Sequence, residues 1–316
     1  MSIIKEAIGC ARVGVPVVHE KMTMYPLYPL SDGGNTDPDY IILDEALASG
    51  RAHVAEISEA GSVPELKFVN ESDRAVLLVD GEELIGAKQN RILNLTILVA
   101  ARTETKIPVS CVEAGRWAAR SAKFASSPRV HYSAGRAAKV AQVSASLSGT
   151  GRRHSDQMAI WDDIAEKMGR LGSTSPTSAM SEMFESHSGD VEQYVGAFKP
   201  IAGQVGAVFA IDGRIAGLDL FDFAATWNKL MPKLVRSYAL DAVDLNAEAK
   251  SGKADSRSPE DFLAAVASLK PEQFDAIGEG QDLRLSGNVA CGAALVAHGR
   301  VVHLNAFPSP ASSKLG

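Results

Sequence analysis

Residues 80–117 read DGEELIGAKQNRILNLTILVAARTETKIPVSCVEAGRW. Two polar clusters, at 82–91 and 111–117, bracket two runs, 92–99 and 107–112, in which apolar and β-branched residues alternate as they do in strands. The Asp80-Gly81 pair is a two-residue hairpin signal, because a type I′ turn needs positive φ at both central positions. The strand after it runs through Leu84 and Ile85, and Gly86-Ala87 marks a bulge or a close backbone approach.

Working back toward the N-terminus, residues 13–28 read as two strands broken at 19–21, and 31–39 is a loop by its Gly, Pro, Asp and Asn content. A short strand at 40–43 leads into one helical turn capped by Asp44 and ended by Gly50. Strands follow at 53–58, 66–69 and 75–79. Up to residue 117 this gives about eight short strands at regular spacing, the pattern of an antiparallel sandwich or barrel. We expect an α+β protein whose residues 1–117 form a β-sandwich-like region.

Beyond Trp117 the composition shifts. Residues 118–134 are Ser-, Ala- and Arg-rich without a period and read as a long surface connection. The region 135–307 then mixes helices with hairpins. Val140, Val143 and Leu147 share a helical face. Ser155 can cap a helix with the stripe Ile160, Trp161, Ile164, Met168 and Leu171. Ser175-Pro176 starts another helix, and Gly189-Asp190 opens one that runs to Phe198. GAVFAIDGRIAGLDLF (206–221) aligns without gaps with GAALVAHGRVVHLNAF (292–307), each copy reading as strand, two-residue turn, strand. Such hairpins can pair into one antiparallel sheet. Between them Phe223, Trp227, Leu230, Leu234 and Tyr238 mark a helix, with a kink or break expected at Pro232. Ser258-Pro259 opens a further helix. Residues 247–258 read as a flexible loop and 308–316 as a disordered tail.

A formal charge of −6 argues against a general nucleic-acid coat, which needs a basic surface. Cys10, Cys111 and Cys291 are too scattered for a zinc site or a disulfide framework, and no apolar run approaches the ~18 residues of a membrane span. These features point to a cytoplasmic protein that does not engage a membrane. No metal-ligand spacing, dinucleotide fingerprint, P-loop or nucleophile elbow is present, so no metal and no cofactor is expected. His131, His154 and His187 fall in polar loops or at helix ends and read as exposed. His298 sits in a hairpin turn, and His303 is a strand histidine.

Alternation along a strand assigns the candidate site. The odd residues from Gln89 and Arg91 to Leu93, Leu95, Ile97 and Val99 share a face that its apolar end marks as core. Ile107, Val109, Cys111 and Glu113 share another. Gln89, Arg91, Cys111 and Glu113 then meet at one interior end, with Glu113 as the partner a buried Arg91 requires. The functional reading is a pocket in which Lys88, Arg91 and Arg116 hold an anionic group, with Gln89 and Trp117 as further ligand contacts. Glu83 or Glu113 would do proton transfer or accept from a ribose hydroxyl. The structural reading is an ion pair fixing the sandwich end, with Glu82 and Lys88 solvated. Cys111 reads as a small buried hydrophobe.

The segments DGEELIGAKQNRILN, IPVSCVEAGRW and SDQMAIW resemble a bacterial and archaeal family named for its association with ADP-ribosylglycohydrolases and rhodanese-phosphatases. The resemblance runs from about residue 10 to residue 307. It places the family's marked positions on Glu82, Glu83, Lys88, Gln89, Asn90, Arg91, Cys111, Glu113, Arg116, Trp117, Asp156 and Gln157. It implies the handling of ADP-ribose, NAD-derived nucleotides or damaged RNA. Two functions follow as expectations: binding or processing of a small nucleotide-like anionic ligand, or a non-catalytic assembly or adaptor module that pairs across a homo-oligomer interface.

Overall fold

The two similar hairpins pair side by side, and their sheet organises the molecule. The structure is a computed structural model and describes residues 2–30, 37–58, 64–117, 121, 123–244 and 257–309. The first part of the chain runs α1 (Ile3–Gly9), β1 (Ala11–Val13), β2 (Val17–His19), β3 (Met22–Pro29), β4 (Tyr40–Ile42), α2 (Leu43–Ala48), β5 (Ala52–Glu56) and β6 (Glu65–Asn70). There follow β7 (Ala75–Leu78), β8 (Glu82–Gly86), β9 (Arg91–Leu93), β10 (Ile97–Val99), β11 (Thr103–Cys111), β12 (Phe124–Val130), α3 (Ser133–Thr150) and α4 (Gln157–Leu171). The last part runs α5 (Ser181–Ser186), α6 (Ser188–Ala197), β13 (Gly206–Ile211), β14 (Arg214–Phe221), α7 (Ala224–Val243), α8 (Pro259–Ser268), β15 (Glu272–Asp275), β16 (Gln281–Ser286), β17 (Ala290–Ala297) and β18 (Arg300–Pro308).

Among the described residues the strands make a nine-stranded sheet, a three-stranded sheet and a closed barrel. The large sheet has the order β1-β3-β13-β14-β18-β17-β16-β15, with β2 also on β3. The small sheet is β10-β7-β4, and the barrel runs β11-β6-β5-β12-β8-β9. The α+β class is as expected, but the sandwich detail is corrected to a barrel. Alternating strands serve either architecture; closure depends on β12, which pairs with β5 on one side and β8 on the other. That strand lies inside the expected 118–134 connection. Its sequence, FASSPRV, hides it, and Pro128 is tolerated because the register with β8 shifts between Ser126 and Val130. The large sheet also crosses the boundary expected at residue 117, since β3 lies beside β13.

Local signals explain most of the rest. Asp212 and Gly213 (φ 48° and 73°) and His298 and Gly299 (φ 51° and 75°) supply the paired positive φ of type I′ turns, so each copy of the repeat closes as a tight hairpin. At Asp80-Gly81 the turn forms, with Glu82 N–H donating to Val79 O at 3.1 Å, but it joins no hairpin. Strand β7 pairs with β10 and β4, and β8 with β12 and β9. Ser258 caps α8 by accepting from Asp261 N–H. The cap of α4 is Asp156, one residue after the expected Ser155. Asp44 does not cap α2, which begins after Ile42. Residues 175–180 form no helix, because Ser175 Oγ accepts from Ala179 N–H and Gly115 N–H donates to Thr177 O. Helix α7 passes through Pro232 without a break, its buried flank of Trp227, Leu230, Leu234 and Tyr238 outweighing the lost backbone bond. The expected loop at 247–258 and tail at 308–316 fall largely outside the described residues.

Among the described residues three large apolar clusters and a small one at Val140, Cys291 and Phe307 fill the structure. Val54, Leu66, Phe68, Leu84, Leu93, Ile107 and Val109 pack inside the barrel. One face of the large sheet packs Phe209 and Val302 against α7 and the outer side of the barrel, where Ile92 and Val112 lie. The other face packs Val208, Leu218 and Leu304 under α1 and α8.

A charged junction crosses this packing. Arg136 of α3 donates to both oxygens of Asp219 on β14, at 2.6 and 3.1 Å. Tyr238 and His303 also bond Asp219, at 2.9 and 3.2 Å. Lys139 binds Asp80 and donates to the Leu93 and Asn94 carbonyls, and Asn305 donates to Asp80 at 3.1 Å. Burial alone would raise the Asp219 carboxyl, but Arg136 and His303 hold it down at about 2. His131, expected exposed, is buried beside this junction. Burial and the neighbouring Lys139, Arg136 and Lys167 push its pKa well below the usual histidine range.

Candidate functional site

The barrel end carries the first part of the predicted cluster. Arg91 and Cys111 are direct cross-strand partners on β9 and β11. Arg91 has the parity of Leu93, and Cys111 that of Ile107 and Val109, all of which lie in the barrel core. Strand alternation therefore located both correctly, and both are fully buried. Gly86 (φ 130°) ends β8 and with Ala87 (φ 39°) opens the loop to β9; a Cβ on Gly86 would meet Lys123 O at 2.9 Å, so the close backbone approach is the alternative found. Arg91 Nη1 donates to Gln89 Oε1 at 2.7 Å, and Gln89 Nε2 donates to the Glu113 carbonyl at 3.0 Å.

The remaining donors of Arg91, Nε and Nη2, are buried without a hydrogen-bond partner. Glu56 ends β5 two residues after Val54, so it points to the same interior. Both of its carboxylate oxygens are likewise buried and unpartnered. Burial lowers the pKa of Arg91, while Cys111 and Glu56 pull it the other way. Burial pushes the Cys111 thiol up against the opposing pull of Arg91, which disfavours a thiolate nucleophile. At the same end Trp117 is 49 % exposed, with Lys88 Nζ 5.2 Å and Arg91 Cζ 5.8 Å from its ring.

Glu113 does not pair with Arg91. Strand β11 ends at Cys111, so the alternation that aimed Glu113 inward is lost, and its carboxylate turns to Arg116. Arg116 donates from Nε to Glu113 Oε1 at 2.9 Å and from Nη2 to Oε2 at 2.6 Å. Asn90 N–H and Thr177 Oγ1 complete that carboxylate at 3.1 and 2.8 Å. Burial would raise the Glu113 pKa, but the bonds from Arg116, Thr177 and Asn90 lower it. Arg116 also donates to the Ala87 carbonyl and to Asn90 Oδ1, so the pair ties the loop between β8 and β9 to the end of β11.

Beside this knot lies a cavity of about 220 Å³ lined by Asn90, Glu113, Arg129, Thr177, Glu182 and Glu185 among others. Glu83 is fully buried, its Oε2 accepting from Ser127 at 2.8 Å and Arg129 at 3.2 Å, with Oε1 unpartnered. Burial raises its pKa despite Arg129. Glu82, expected solvated in the structural reading, is buried against Lys233 at 2.8 Å, and burial raises its pKa too. Lys88 is partly exposed.

The segment SDQMAIW serves attachment. Gln157 Oε1 accepts from Cys111 N–H and its Nε2 donates to Cys111 O, both at 2.8 Å, so the amide occupies the place of a neighbouring strand. Ser155 bonds Ser110 at 2.5 Å, and Asp156 accepts from Met158 and Ala159 N–H. Strand alternation brought Gln89, Arg91 and Cys111 together but aimed Lys88 the other way, whereas the structure sets it beside Trp117 at the same end; sequence reasoning missed Glu56 and Arg129. A signal for Glu56 existed: a carboxylate at a core-facing strand position, two residues from Val54. Arg129 sits on the unrecognised β12.

Among the described residues no group of three or more His, Cys, Asp or Glu side chains could hold a metal ion. No helix of the described residues is long and apolar enough to cross a membrane. No curated protein and no solved structure matches the chain. A family model described as the ARG and Rhodanese-Phosphatase-superfamily-associated Protein domain matches residues 11–307.

Proposed function

The chain belongs to that family, and from this premise we propose that the barrel end binds a small, nucleotide-like anionic ligand. The observation that carries the reading is Arg91: a buried guanidinium oriented through Gln89 but left with two N–H donors unpartnered. Buried guanidinium donors are costly to leave unmet, and a phosphate or carboxylate oxygen satisfies them bidentately. Lys88 adds a second positive charge, and the half-exposed Trp117 offers an aromatic surface for a base. The association with ADP-ribosylglycohydrolases in the family's naming directs the choice of ligand toward ADP-ribose or an NAD-derived nucleotide.

The reading is one of binding first. Of the two carboxylates considered for proton transfer, Glu113 is held ionised by Arg116, Asn90 and Thr177 and serves to position Asn90 and the loop between β8 and β9. Glu83 keeps a raised pKa and an unpartnered oxygen, so it is the one of the two with capacity for acid/base work.

Thermal denaturation of wild type and Arg91→Ala with ADP-ribose, NAD and inorganic phosphate tests the proposal. Ligand at about 100 times its Kd stabilises by about 2.7 kcal/mol, so wild type should melt several degrees higher with ADP-ribose. The folded Arg91→Ala variant should lose most of that gain. A wild-type protein indifferent to all three ligands, or a folded Arg91→Ala variant that responds as wild type does, overturns the reading.

A further inference from the structure

Glu56 lies outside the segments that carry the family resemblance, yet the structure makes it the counterpart of Arg91. The two enter the barrel end from β5 and β9. Each is buried at its polar atoms, and each has nitrogens or oxygens without a hydrogen-bond partner among the described residues. Several buried opposite charges of this chain are closed onto one another: Arg116 on Glu113, Arg136 on Asp219 and Lys167 on Asp241, each at 2.6 Å. Arg91 and Glu56 make no such ion pair; the guanidinium is oriented by Gln89, and Gln89 by the Glu113 carbonyl.

We infer that Arg91 and Glu56 together read one bifunctional ligand group, an anionic oxygen on Arg91 and a hydroxyl donor on Glu56, as in a phosphorylated sugar or the ribose-phosphate part of a nucleotide. This rests on the anion-binding reading above and adds specificity to it. A carboxylate beside the anion site opposes a bare phosphate dianion, whereas a group that donates to the carboxylate turns that repulsion into a hydrogen bond. Sites built to bond a ligand hydroxyl reject analogues that lack it, because the buried acceptor is then left unmet. A zwitterionic amino acid would match the same two charges, but it gives Trp117 and Lys88 no part. Glu56 is here a specificity-determining residue and takes no part in bond making.

The test is calorimetric titration of the full chain with inorganic phosphate, ribose 5-phosphate, ADP-ribose and glutamine, on wild type and Glu56→Gln. Wild type should bind ribose 5-phosphate at least tenfold more tightly than phosphate. Glu56→Gln should erase that preference by weakening the sugar phosphate about tenfold while leaving phosphate unchanged or tighter. If Glu56→Gln does not fold, Glu56→Asp, which keeps the charge and shortens the reach, should narrow the same ratio. Equal binding of phosphate and ribose 5-phosphate by wild type, with a ratio that Glu56→Gln does not move, removes Glu56 from the site and leaves the anion site intact. Glutamine binding in preference to both phosphates replaces the sugar-phosphate assignment with a zwitterion. Absence of binding by any anion removes the site itself, and this inference with it.

Discussion

Arg136 and Arg91 are both fully buried arginines facing carboxylates, and they are finished in opposite ways. Arg136 closes Nη1 and Nη2 onto Asp219, which Tyr238 and His303 also bond, while Lys139 and Asn305 complete Asp80; its Nε stays without a hydrogen bond. Among the described residues Arg91 donates to Gln89, and neither oxygen of Glu56 has a hydrogen-bond partner. The first arrangement fastens the barrel to the large sheet and α3. The second is oriented through Gln89 and leaves buried donors and a buried carboxylate unmet, the arrangement we propose is kept for a ligand. Burial of charge alone does not separate the two arrangements; the state of the carboxylate does, since Asp219 is bonded on both oxygens and Glu56 on neither.

The comparison breaks most visibly at the junction. Arg136→Leu leaves the buried Asp219 without its guanidinium partner and should lower the unfolding free energy by about 3–5 kcal/mol, measured by urea denaturation at neutral pH. Acid should expose the same junction more gently. Asp219 has a folded-state pKa of about 2, below its unfolded value of about 3.9. Its contribution is therefore complete above about pH 4 and is lost as pH falls toward 2, on the order of 2 kcal/mol for this group. Denaturation midpoints followed between pH 5 and 2 should show this loss in wild type and a shallower slope in Asp219→Asn. The smallest stability effect belongs to the barrel end. Arg91→Leu breaks no closed ion pair, so its unfolding free energy should stay within about 1 kcal/mol of wild type while the ligand response disappears. A loss as large as that of Arg136→Leu would sink the distinction.

Part of this was legible in the sequence. The repeat hairpins were, because a two-residue turn with positive φ and flanking alternation is a local signal. Arg91 and Cys111 were placed correctly because β9 and β11 keep their period up to the residues in question and one face is fixed by Leu93, Ile107 and Val109. Glu113 was misassigned two residues later, where the strand ends and alternation carries no information. The barrel was not legible, since closure depends on a polar, proline-bearing strand that looks like a connection. Nor was the burial of His131, which comes from α3 and α7 packing over a residue in a polar stretch. Glu56 was legible and overlooked: its parity with Val54 marked a carboxylate aimed into an apolar core.

The pairing of β3 with β13 sets a condition on synthesis. Met22–Leu27 hydrogen-bonds to Gly206–Ile211, so an early segment finds its main neighbour only in the last third of the chain. At about 5–20 residues per second, β3 waits on the order of ten seconds or more after leaving the ribosome before that neighbour exists. During that interval β3, whose Met22, Met24 and Leu27 end fully buried, has β1 and β2 as its strand partners among the described residues. The nascent chain thus carries an unpaired apolar strand edge through most of its own translation.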